Sequence, residues 1–207
     1  MLRALPVQGA VVQPSAVYGR GGSGAEMFNT LALLPVLMLP QAGGMRMRPV
    51  HVADVVDGIV ALMVQPPPRV TTIAFVGPQS LSMADYLRAL NAAMGLGGHL
   101  PLVLSMPKRL FLWGARMAGL SKSGALDAET AGMLLRGNSA PVEAFEKLLG
   151  HLPRPVSDFI APGDVAAVRG RTLRALMRSL TQLAMAATVA ALAVILVAWY
   201  FGAPFFD

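Results

Sequence analysis

The feature that most restricts what this chain can become is its last stretch, "TQLAMAATVAALAVILVAWYFGAPFF": no charged side chain occurs from residue 179 to residue 206. As a helix rising about 1.5 Å per residue, residues 183–201 would span about 28 Å, close to the roughly 30 Å hydrocarbon thickness of a bilayer. Trp199, Tyr200 and Phe201 stand where an interfacial aromatic belt forms. Just ahead, "DVAAVRGRTLRALMRSL" sets Arg171, Arg174 and Arg178 on one helical stripe and Leu173, Leu176, Met177 and Leu180 on another. That is the pattern of an amphipathic segment on an anionic membrane surface. A buried core helix is the competing reading of the run. Arginines precede the span and only Asp207 follows it. The positive-inside rule therefore predicts a single pass through the inner, cytoplasmic membrane with the N-terminal bulk in the cytoplasm. The span lies at the wrong end of the chain for a signal peptide.

The remainder is long enough for one core, although 16 Pro and 21 Gly punctuate the 207 residues, and the mean hydropathy of +0.57 is high for a soluble domain. With no Cys, disulfides and thiolate chemistry are excluded, and the three His, at 51, 99 and 151, are too far apart to read as a metal-ligand pair. A net charge of +6 invites nucleic acid, but no basic run is interleaved with stacking aromatics, so no nucleic-acid partner is expected.

Helical and strand-like runs alternate along the chain. A β-like run covers 9–13, a helical one 25–34, and short strands 36–39 and 45–50, joined at 41–44. In "VHVADVVDGIVALMVQ", Val52, Val55, Val56, Ile59, Leu62 and Met63 recur at helical spacing and predict a buried face. The prolines at 66–68 stop that helix, and "VTTIAFVG" reads as a β-branched buried strand. Ser82 and Asp85 make a capping box ahead of Met83, Tyr86, Leu87, Leu90 and Met94. Further helices are expected over 107–119, 127–136 and 141–149, and "HLPRPVSDFIAPGD" reads as a linker to the membrane segment. The apolar "LALLPVLMLP" is too short and too broken by proline to cross a bilayer; a pocket wall and a dip into the membrane interface both fit it.

Gly19, Gly21 and Gly24 have the G-x-G-x-x-G spacing of a dinucleotide turn. Such a turn leaves its strand straight into the first glycine, aims a helix N-terminus at the pyrophosphate, and is succeeded about 20 residues on by an acidic residue for the ribose. Here Pro14, Ser15, Ala16, Val17 and Tyr18 intervene, no acidic residue occurs at 41–47, and Pro35 cuts the helix short. The spacing reads as a glycine-rich loop closing off a strand.

Three segments in succession, "VVQPSAVYGRGG", "LPVLMLPQAGGMRMRPVHVADVVDGIVALM" and "FVGPQSLSMADYL", resemble the second half of extended or atypical short-chain dehydrogenase/reductases, the NAD-dependent epimerase/dehydratase-like proteins. The similarity is closest to their membrane-associated group, which includes complex I accessory subunit relatives, and covers roughly 9–160. It implies an α/β fold, partial Rossmann-like: the C-terminal part of a doubly wound sheet plus a helical substrate-side region over 1–160. A basic amphipathic segment (161–180) and a transmembrane helix (181–203) would complete the chain. It also implies NAD or NADP as cofactor, with Pro14, Ser15 and Val17 at the nicotinamide and Tyr18, Gly19, Arg48 and His51 around a substrate pocket. Where the family usually has Arg, this chain has Gln13. Taken without the resemblance, His51 reads as a satisfied structural histidine, Arg48 as a solvated charge and Asp54 as a helix-start residue.

The family's reductases use a Tyr with a Lys four residues later, and no Tyr-x-x-x-Lys exists here, so no catalytic residue is assigned. Its nucleotide turn lies upstream, so Met1 falls where such a body would be well under way. The expectation is a truncated, membrane-anchored NAD(P)-dependent oxidoreductase, inactive alone, acting in intact form on a small lipophilic substrate and needing a protein partner to complete its fold. A non-catalytic scaffold or accessory subunit of a membrane complex, and a single-span protein with an interaction module, are the alternatives.

Overall fold

The computed structural model describes residues 8–40, 45–98, 102–107, 109–110 and 140–200. In chain order the elements are β1 (Ala10–Pro14), β2 (Val17–Tyr18), α1 (Ser23–Leu31), β3 (Val36–Pro40), β4 (Arg46–Met47), β5 (Val50–His51) and α2 (Val52–Val64). After these come β6 (Thr71–Phe75), β7 (Leu81–Ser82), α3 (Met83–Ala93), β8 (Leu102–Met106), α4 (Glu143–Leu149) and α5 (Val165–Tyr200). Two 3-10 turns, Val156–Asp158 and Pro162–Asp164, lie between α4 and α5. The expected helix over 127–136, most of that over 107–119 and the joint at 41–44 fall outside the described residues.

The strands pair mostly in parallel, as an α/β chain requires, because each return passes over a helix. β1 lies beside β6 in register from Ala10↔Thr71 to Pro14↔Phe75, β2 beside β5, and β3 beside β8. Among the described strands only β4 and β7 run antiparallel. Pro14 has no amide to give a ladder, and it ends β1.

The larger core gathers on α3. Tyr86, Leu87, Leu90 and Met94 are wholly buried against Phe28 of α1, Met47 and the 156–160 segment. The capping box forms as expected, with the Asp85 amide donating to Ser82 Oγ at 3.1 Å and that hydroxyl donating to Asp85 Oδ2 at 2.7 Å. A smaller cluster holds Val50, Phe75 and Phe145, whose two rings stack with centroids 4.3 Å apart.

Two expectations are overturned by the packing. In α2 only the Val55 and Leu62 edge of the expected stripe packs against that smaller cluster; Val52, Val56, Ile59 and Met63 are exposed, Met63 to 78%, whereas Asp54 and Gly58 are buried. A Cβ on Gly58 would lie 2.7 Å from the Phe145 ring and 2.8 Å from that of Phe75, so only glycine lets the helix pack this close. Nor is 151–164 a free linker: Pro153, Val156, Phe159 and Ile160 are buried. The Arg154 amide donates to Asp54 Oδ2 at 2.9 Å while its guanidinium pairs with Oδ1, strapping this segment onto α2.

The stretch 31–40 is neither a pure wall nor a dip. It ends α1 and then forms β3, with Leu37 and Leu39 turned inward and Val36 and Met38 outward.

Helix α5 divides in two. Its first turns bury Val168 and Thr172 beside α1. Its later part is long and apolar enough to cross a membrane, and the most apolar window of that stretch has none of its residues covered by the rest of the chain. A core helix would be covered, and the described residues supply no cover for this part of α5.

Candidate functional site

Strand β1 runs out at Pro14 and its parallel neighbour β6 at Phe75, so the loops leaving them share the C-terminal end of one strand pair. Open α/β sheets place their ligands there. Ser15 continues the strand by donating its amide to the Phe75 carbonyl at 2.9 Å, yet its hydroxyl is buried and meets no partner among the described residues. Pro14 and Val17 flank it at the surface.

The chain then turns inward. Tyr18 is 3% exposed, its ring stacked on Phe159 at 5.1 Å, with the His51 ring 6.3 Å away. Its hydroxyl meets the Asn29 side chain, donating to Oδ1 at 3.3 Å and accepting from Nδ2 at 3.2 Å. Burial raises the Tyr18 pKa above the ordinary phenol value, and the Asn29 bond and the charge of Arg171 pull only partly the other way. A catalytic tyrosine needs the opposite shift, so this phenol is a poor proton donor or acceptor at neutral pH.

His51 stands at the start of α2, where its Nδ1 accepts the Ala53 amide at 3.2 Å and caps the helix. That bond requires an unprotonated Nδ1. Burial lowers its pKa, the nearby Arg154 charge adds to this, and Asp54 acts against both. Arg48 reaches the Pro78 carbonyl at 3.2 Å and the Gly77 carbonyl at 3.5 Å, bracing the loop after β6. A Cβ on Gly77 would collide with the Pro49 carbonyl oxygen at 1.8 Å, so this loop admits no side chain there.

Gly19 also sits tightly, with a Cβ meeting Val52 at 3.0 Å, and its carbonyl accepts the Gly22 amide at 3.0 Å to close the turn before α1. Gly21 adopts φ +79°, the left-handed region that favours glycine. The turn thus extends from the two-residue β2 rather than from β1.

Beyond Tyr18 opens a cleft of about 200 Å³ between α1 and the first turns of α5, lined by Gly19, Asn29, Phe159, Arg171 and Arg178 among others. Of the residues singled out in the sequence, Tyr18 and Gly19 line it, His51 stands behind the Tyr18 and Phe159 rings, and Pro14, Ser15, Val17 and Arg48 lie elsewhere. Asn29 and Phe159 come from segments that carried no motif, and Arg171 and Arg178 come from the basic stripe that the sequence assigns to the membrane surface. Among the described residues no group of His, Cys, Asp and Glu could hold a metal ion.

No protein-family model and no curated protein matches this sequence. Solved structures do match its fold. A nucleoside-diphosphate-sugar epimerase from Staphylococcus aureus superposes with a TM-score of 0.52 at 18% identity, over 74% of this chain and 52% of that one. A human epimerase family protein solved with NADPH gives 0.51 at 18% identity, over 73% and 46%. An NADPH-dependent quinone oxidoreductase from Escherichia coli gives 0.50 at 15% identity, over 74% and 55%. The chain therefore has a mixed α/β, Rossmann-like architecture and spans about half the length of these proteins.

Proposed function

We propose that this chain is the substrate-side portion of a membrane-anchored NAD(P)-dependent oxidoreductase of the short-chain dehydrogenase and epimerase type. The observation that carries the reading is the arrangement at the ends of β1 and β6: a buried Ser15 hydroxyl lacking a partner among the described residues, beside the exposed Pro14 and Val17, next to a buried aromatic group and a cleft. These residues fit the nicotinamide end of a dinucleotide, with Ser15 for its carboxamide and Pro14 and Val17 against the ring. When bound, the cofactor would supply hydride exchange with a carbonyl or alcohol. This chain's residues would shape the substrate side, with Tyr18 and Phe159 as an apolar wall and Arg171 as a charge near the substrate.

The cleft is smaller than the roughly 300 Å³ at which small-molecule sites begin, so a dinucleotide needs more surface than these elements offer. A partner polypeptide that adds parallel strands along β1 would provide it. Native material extracted from membranes is expected to bind NAD(P)H as an assembly, while the purified 207-residue chain shows no saturable binding. Saturable binding by the chain alone would contradict the division of labour, and native material indifferent to both nucleotides would contradict the cofactor.

A second reading, a non-catalytic accessory subunit of a membrane complex, is favoured by one observation. Tyr18 is locked onto Asn29 with its acidity weakened. Turnover of a carbonyl substrate by the native assembly, lost on replacing residues of the cleft, would exclude that reading.

A further inference from the structure

We infer that the cleft between α1 and the start of α5 takes an acidic head group carried on an apolar tail, drawn from the bilayer; this deepens the membrane-anchored reading above and rests on it. The cleft presents three arginines, Arg20, Arg171 and Arg178, against two carboxylates, Glu26 and Asp164. One pair is already closed, since Arg20 meets Asp164 at 2.9 Å. Among the described residues Arg171 and Arg178 make no ion pair. The remaining balance favours a single negative charge.

The position of these arginines selects the source. Arg178 lies five residues before residue 183, about 7.5 Å along the helix axis, and a bilayer's polar layer is roughly 5–8 Å deep on each side. Arg178 therefore stands at head-group depth, with Arg171 about 10 Å further out. A helix lying flat on lipid would turn its arginines to the lipid head groups, but here Arg171 and Arg178 line the protein's cleft, while Leu173, Met177 and Leu180 face outward and continue into the bare apolar run. A ligand on this path keeps its head at the guanidinium groups of the cleft and its tail along the uncovered apolar run of α5 below them. About 200 Å³ admits a head group and little more.

The test uses the full chain in lipid nanodiscs containing neutral phospholipid with a minority of anionic phospholipid, with bound lipid counted by native mass spectrometry. The wild type should retain acidic lipid in preference to neutral lipid. The double variant Arg171→Gln/Arg178→Gln should lose that preference roughly tenfold or more. Arg174→Gln removes the same kind of charge from the same helix outside the cleft, and Arg171→Lys/Arg178→Lys restores charge if the double variant folds poorly. Both should keep the preference.

Equal loss in Arg174→Gln, or no preference in the wild type, would overturn the proposal. Displacement of the lipid by millimolar inorganic phosphate would overturn the bilayer as its source. A wild-type chain that leaves the discs in an alkaline wash would remove the membrane reading as well; one that stays inserted while wild type and double variant hold the same lipids would remove this inference alone.

Discussion

Among the described residues the packing closes around α3 but not around α2, although most residues of both helices are apolar. Tyr86, Leu87 and Leu90 of α3 meet α1 and the 156–160 segment and lose all contact with water. α2 buries Asp54 and Gly58, half-covers Val55 and Leu62 and turns Val56, Ile59, Val60 and Met63 outward, over a cluster that among the described residues has three fully buried side chains. β1, in the same half, is paired along one edge among the described residues. Among the described residues the layer around α3 is thus closed, whereas β1 beside α2 is covered by a single neighbouring strand. Exposed apolar side chains on a helix and a parallel strand with one neighbour among the described residues are features that α/β proteins normally cover.

The largest effect should come from the closed side. Leu90→Ala is expected to cost about 3–5 kcal/mol in denaturant unfolding of the full chain in mild detergent, since it opens a cavity among wholly buried side chains. Ile59→Ala on the open side should change stability by less than about 0.5 kcal/mol. Equal costs would erase the contrast.

Next in size is the strap that joins the halves. Arg154→Ala leaves Asp54 wholly buried with only the backbone amide for company, and should cost about 2–4 kcal/mol, less than for a fully buried pair because Arg154 is 40% exposed. A neutral result would mean that α2 is held by something other than this pair. Ser82→Ala removes the cap of α3 and should cost about 1 kcal/mol, read in the same experiment.

Smallest is a pH effect at His51. Its folded pKa is lowered, so the unfolded chain takes up the proton more readily. Stability from this group is therefore complete above the unfolded value of about 6.5 and declines as pH falls below it towards the lower folded value. His51→Asn keeps an acceptor for the Ala53 amide without titrating. Its melting temperature should lose that part of the slope between about pH 7.5 and 5, either side of the unfolded value, and an unchanged slope would assign the dependence elsewhere.

The same contrast explains what the sequence could reveal. In α3 the apolar positions recur on one face only, and a Ser-to-Asp cap marks its start, so both the helix and its buried side were legible. α2 carries apolar residues over most of its circumference, and periodicity picked a face of which the packing covers only one edge. The covered side is set by Arg154, 100 residues away, and by the approach that Gly58 permits to two stacked phenylalanines. The family resemblance, rather than the local pattern, grouped Tyr18, Gly19, Arg48 and His51, and of these Tyr18 and His51 lie side by side through the pairing of β2 with β5. Phe159 and Asn29 were not legible, because one sits in a proline-rich segment that looked solvated and the other is a lone amide in a short helix. Only packing shows that the amide meets the buried phenol. Arg171 was legible as a membrane-facing charge, but not as a cleft residue.

All of this depends on a folded α/β body held at a bilayer by α5, and the chain's lack of cysteine gives that claim a clean probe. Single cysteines would be placed at the exposed Ser157 of the body and at Ala191 within the uncovered apolar run, and treated with a membrane-impermeant maleimide in sealed vesicles of known sidedness. Ser157→Cys should react only from the cytoplasmic face, and Ala191→Cys should stay unmodified until detergent dissolves the membrane. Reaction of Ala191→Cys in intact vesicles, with release of the chain by alkaline wash, would contradict the account and return α5 to the role of a helix waiting for a protein partner.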